Sequence, residues 1–156
     1  MEFKEKDLLS YLEKWQEILR LRDWDIRLEV VNQKWRKTGD VKVDRDDKKA
    51  ILLVNVFNPT SENLEETIIH ELLHIKLWDM DQMLEGFLHS LFGKDPEDPR
   101  YNFALQQFMI LLESTVEDLT KGFLQLGGEE KELSFGRIEG LVKKELGSEK
   151  RIQDNK

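Results

Sequence analysis

Ile69-His70-Glu71-Leu72-Leu73-His74 is the stretch on which the reading of this chain turns. Ile68, Leu72 and Ile75 repeat at helical spacing, and Ile69 and Leu73 widen the stripe, so the stretch reads as part of an amphipathic helix. On a helix, side chains four apart stand one above the other. His70 and His74 can therefore direct two imidazoles to one point at the edge of the apolar stripe. Glu71 follows the first histidine directly and sits beside that point. Two nitrogens on one face suit a metal ion, and a carboxylate next to them suits proton transfer. Two of the three histidines in the chain fall here, which weighs against a helix that carries two histidines by accident.

The spacing His-Glu-x-x-His is the zinc-hydrolase signature. It supplies two ligands for Zn2+ and, in Glu71, a general base for a water held at the metal. A catalytic zinc needs a third protein ligand and leaves one position open. Six residues after His74 stands Met80, and Leu77 occupies the place of a glycine, so the metzincin arrangement with a third histidine is excluded. The candidates are Glu113, Glu117 and His89. Glu113 has Met109, Ile110 and Val116 as helical neighbours, and a carboxylate against an apolar stripe is costly unless paired or metal-bound. Glu117 neighbours Ser114, Thr120 and Lys121; it reads as a partner of Lys121 or as an acceptor for a ligand histidine. His89 reads as a half-exposed helix residue beside Glu85.

Upstream, Leu8, Leu12, Trp15 and Leu19 predict a helix over about residues 2–21. Trp24 to Val30 alternates apolar and charged, and Val41 to Asp44 resumes the alternation after the turn-like Thr38-Gly39-Asp40. Ala50 to Phe57 is nearly all apolar, which marks the most buried of three strands. Short polar turns between them suggest an antiparallel meander. Pro59 ends the sheet, and Thr60 or Ser61 can cap the metal helix, with Glu65 and Glu66 at its positive end. Asp79-Met80-Asp81-Gln82 looks like a break, followed by a turn or two of helix up to Gly93. A loop with Pro96 and Pro99 leads into a long helix over Tyr101 to Leu126, with Leu105, Phe108, Leu112, Val116, Leu119, Phe123 and Leu126 as its core stripe. Gly127-Gly128 closes it. The fold class is α+β: an N-terminal helix, a three-stranded mainly antiparallel sheet, the metal helix and a long helix bearing Glu113. One domain covers 1–126, and 127–156 forms a charged tail, partly helical or disordered, with disorder from about Gly147.

Composition narrows the partners. The 156 residues carry a net charge of −8, which disfavours nonspecific nucleic-acid binding and a membrane surface. No apolar run reaches membrane-spanning length. With no cysteine, disulfides and thiolate ligands are excluded. Met1 to Lys6 lacks the apolar core of a signal peptide, so the expected location is cytoplasmic.

Together, His70-Glu71-x-x-His74 and the later Glu113-Ser114-Thr115-Val116-Glu117 make the chain resemble the small gluzincin metallopeptidases. These include the minimal gluzincins, phage-type metallopeptidases and the peptidases that cleave phage immunity repressors. The resemblance covers about residues 1–126. It implies a zincin-like metallopeptidase domain in which His70, His74 and Glu113 bind zinc, Glu71 is the catalytic base, and a peptide or protein is the substrate. Larger gluzincins carry an aspartate where Glu117 stands here. No Tyr, His or Arg is identified as the oxyanion stabiliser, and Tyr101 is the one candidate. A weaker resemblance is to SprT-like proteases, which would use His89 as third ligand. A catalytically silent zinc-binding accessory domain is the alternative to an enzyme.

Overall fold

The computed structural model describes residues 5–153; residues 2–4 of the expected first helix lie outside them. Helix α1 spans Glu5–Ile18, strands β1, β2 and β3 span Asp25–Val31, Gly39–Asp44 and Lys49–Asn55, and helices α2, α3 and α4 span Leu64–Phe92, Pro99–Gly127 and Gly136–Gln153. The α+β class and the order of a first helix, a sheet and long helices are as expected from the sequence. Among the described residues no helix is long and apolar enough to cross a membrane.

The sheet corrects the meander. Its order is β1-β3-β2, so β3 inserts between its two predecessors. β1 runs parallel to β3 with Leu28 opposite Leu52, and β2 runs antiparallel with Val41 opposite Leu52. The sheet is thus mixed. The physical reason lies in β3 itself. Ala50, Leu52 and Val54 are buried toward the helices, while Ile51 and Leu53 are half-buried on the other face. A strand apolar on both faces buries most surface when flanked on both edges. The β1–β2 connection, residues 32–38, crosses the end of β3 and is pinned there. Asn55, fully buried, donates from Nδ2 to the Lys37 carbonyl at 2.8 Å, and its backbone N–H donates to the Thr38 carbonyl at 2.8 Å.

Helix α2 is the centre of the molecule. It packs on α1, β2 and β3 and on α3. Surrounded in this way, its first half is buried on most sides, Glu65, Thr67 and Glu71 included, with Ile68, Ile69 and Leu72 inaccessible to solvent. Asn63, not Thr60 or Ser61, is its N-cap, accepting from the Glu66 N–H at 3.1 Å. No break occurs at Asp79–Gln82, because aspartate, methionine and glutamine carry no steric bar to a helix. The helix continues to Phe92 and stops at Gly93, whose φ of 80° suits a residue without Cβ. Beyond Trp78 its apolar side chains find little cover: Met80, Met83, Phe87 and Leu91 are exposed.

Helix α3 starts with Asp98 as N-cap and Pro99 in the first turn. Its buried positions are Tyr101, Val116, Thr120 and Leu124. Leu119 and Leu126, assigned to the core stripe, are exposed, since the buried side is rotated toward Thr120 and Leu124. Helix α4 continues through Gln153, where the sequence suggested disorder from Gly147. Residues 154–156 of the tail lie outside the described residues. Ile138, Leu141, Val142 and Leu146 of α4 are exposed.

A buried carboxylate at the N-terminal end of α2 joins these parts. Glu65, 1% exposed, accepts from Lys14 Nζ at 2.9 Å and Trp15 Nε1 at 2.7 Å with Oε1, and from the Glu129 N–H at 2.8 Å with Oε2. Burial pushes its carboxyl up, but the Lys14 ammonium and the indole and backbone donors outweigh it and hold it below the usual carboxylate range. Glu65 therefore does more than face the helix dipole: it ties α1 and the segment after α3 to α2.

Candidate metal centre

The cleft lies where β2, α2 and α3 meet, and its floor is α2. Helical spacing brings His70 and His74 together as the sequence requires, with their Nε2 atoms 3.1 Å apart. Glu113 reaches them from α3. Its Oε2 is 3.6 Å from His70 Nε2 and its Oε1 is 3.4 Å from His74 Nε2. Ligand atoms at about 2.1 Å from a small tetrahedral ion stand roughly 3.4 Å from one another. The three side chains match that spacing, and their donor atoms all lie within 4.8 Å of each other. Among the described residues this is the group that could hold a metal ion. Two imidazoles and one carboxylate suit an ion of intermediate softness.

The other third-ligand candidates divide. Glu117 Oε1 is 3.6 Å from His70 Nδ1, the nitrogen that faces away from the metal position. There it can orient the ring and fix which nitrogen carries the proton. His89 is fifteen residues beyond His74 on the same helix, about 22 Å along its axis. It stacks instead on Tyr101, with ring centroids 5.0 Å apart. Tyr101 is buried in that contact and does not line the cleft, so its candidacy as oxyanion stabiliser falls. The apolar stripe expected around Glu113 is not found. Met109 and Ile110 are exposed, and Glu113 itself is 48% exposed, so no apolar stripe forces it to the metal position. It stands there because the α2–α3 packing brings its turn opposite His70 and His74.

Glu71 is buried against β2. A Cβ added at Gly39 would meet Glu71 Oε1 at 2.6 Å and Thr67 Cγ2 at 2.7 Å. The strand backbone can come this close only because position 39 has no side chain. Burial pushes the Glu71 carboxyl up to about 7. Burial also pulls His70 down, but the Glu113, Glu71 and Glu117 carboxylates leave it above its ordinary value. Burial and the neighbouring His70 hold His74 below its ordinary value.

The cleft, about 860 Å³, is lined on one side by Arg36 to Val41, on another by Glu113, Glu117 and Lys121, and at its ends by Trp78 and Asp81 and by Ser134, Phe135 and Ile138. Asp40 is neutralised by Lys37 at 3.2 Å and Lys42 at 2.8 Å. Gly39 read as a turn residue in the sequence, and Phe135 as part of a tail. Neither carries a local signal for a place in the cleft, because both reach it through nonlocal packing. No protein-family model, curated protein or solved structure matches this chain.

Proposed function

We propose that this chain is a zinc-dependent metallopeptidase of gluzincin type, with His70, His74 and Glu113 as metal ligands and Glu71 as general base. One observation carries the reading: Glu113, from a separate helix, stands 3.4 and 3.6 Å from the two facing histidine nitrogens, and Glu71 flanks them in the same open cleft. A bound zinc ion would supply Lewis acidity and lower the pKa of a water molecule to about 7. The protein supplies the rest. Glu71 accepts a proton from the attacking water and delivers it to the leaving amine. Its burial against β2 at Gly39 holds it beside the metal position for that shuttle. Glu117 keeps the His70 ring turned with Nε2 toward Glu113. Three ligands leave one position open, which favours catalysis over a purely structural site.

The test is direct. The purified chain is expected to hold about one zinc ion and to cut denatured casein, with cutting abolished by chelation and restored by zinc. A chain that binds zinc with all three ligands and never cuts a broad peptide library would instead be a silent metal-binding domain.

A further inference from the structure

Residues 129–136 are strapped across the N-terminal end of α2. Asn63 donates from Nδ2 to the carbonyls of Glu130 at 3.0 Å and Glu132 at 3.2 Å. Ser134 Oγ accepts from the Glu62 N–H at 3.2 Å and from the Gly136 N–H at 3.3 Å. Gly136 lies so close to the Thr60 carbonyl that a Cβ there would stand 2.1 Å from its oxygen. This strap fixes Phe135 and the first turn of α4. Phe135 and Ile138 nevertheless remain 64% and 56% exposed. They do not fill the core; they face the same cavity as His70, Glu71, His74 and Glu113.

A large aromatic and a branched aliphatic side chain, exposed to water beside the candidate metal centre, form a surface that gains free energy when an apolar group covers it. The cavity's shape selects the occupant. Its lining runs along α2 from Glu66 to Asp81, about 22 Å at helical rise. An extended chain of roughly six or seven residues spans that length. We propose that Phe135 and Ile138 form a specificity shelf for a large apolar side chain of an extended polypeptide. The inference rests on the peptidase reading for its substrate class, and on the strap for its geometry. It makes the segment after α3 a working part of the site.

The experiment uses the full chain carrying Glu71→Gln, loaded with zinc, so that binding is read without turnover. Two fluorescein-labelled decapeptides of glycine, serine and asparagine differ at one central position, leucine in one and serine in the other. Fluorescence anisotropy is expected to show the leucine peptide binding about tenfold tighter, the scale of partly burying one such side chain. Adding Phe135→Ser and Ile138→Ser should level the two affinities while zinc affinity stays unchanged. Both side chains are exposed, so folding does not depend on them. A double variant that keeps the tenfold preference overturns the shelf, and so does equal or undetectable binding of the two peptides before it is made. Failure of the peptidase reading looks different: the unsubstituted zinc protein leaves casein uncut, while a levelled preference still supports the shelf as a peptide-binding surface.

Discussion

A methyl group on Gly39 would collide with Oε1 of Glu71 and with Thr67. Either β2 or the carboxylate must then shift, and overpacking of this kind costs about 1–3 kcal/mol. Gly39→Ala is expected to keep its zinc, since no ligand is touched, and to lose activity through kcat rather than KM. Metal analysis beside steady-state kinetics checks it. Glu71→Gln should likewise keep zinc and fold, and lose on the order of a hundredfold or more in kcat. On the proposed reading the carboxylates on α3 separate by role. Glu113→Ala should strip the metal at concentrations where the parent chain is saturated. Glu117→Ala should weaken zinc affinity about ten- to a hundredfold, as loss of a ring-orienting acceptor does. His89→Ala, about 22 Å down the helix from His74, should leave zinc affinity unchanged. Competitive zinc titration of the three variants measures all of this, and metal loss through His89→Ala alone would defeat the assignment.

At the scale of elements, the N-terminal turn of α2 is held by one carboxylate with partners on two other segments, α1 and the stretch after α3. Glu65→Gln keeps the shape but removes the charge that faces Lys14. Loss of a buried charge-assisted hydrogen bond costs about 1.5–3 kcal/mol, so the variant should melt at a lower temperature at pH 7. The sign of the pH dependence follows from the shift. The folded-state pKa of Glu65 lies below its ordinary value of 4.5, so its stabilisation is fully present above that value and is lost as pH falls through the folded pKa. The gap in melting temperature between the parent chain and Glu65→Gln should therefore be constant from pH 7 to about pH 5 and shrink below pH 4.5. Melting curves across that range test it, and a gap that widens in acid would contradict it.

For the whole molecule, the strap decides how much of the chain the site requires. A chain ended at Gly128 loses the Glu129 N–H that Glu65 accepts and the carbonyls that Asn63 binds. It leaves a buried carboxylate and a buried amide short of partners, which costs free energy directly. That chain should melt roughly 5–10 °C lower. A chain ended just after Gly136 keeps the strap and should melt within a degree or two of the parent, since Ile138, Leu141, Val142 and Leu146 of α4 are exposed. Calorimetry on the two truncations separates the strap from the helix that follows it.

The pairing of His70 with His74, the place of Glu71 and the existence of most elements were readable from the sequence alone. Each depends on a local repeat: a helix aligns positions four apart through its own hydrogen bonds, and a strand alternates its faces whatever its neighbours are. The three alternatives for the third ligand were as far as spacing could go. Glu113 is 43 residues from His70 in the chain, and only the packing of α3 on α2 brings them together. The insertion of β3 between β1 and β2, the approach of Gly39 to Glu71 and the strap that carries Phe135 into the cleft are of the same kind. The apolar pattern says which faces are buried but not against what. That choice is made when the whole core closes, because burial free energy depends on the area covered and not on the partner's position in the chain.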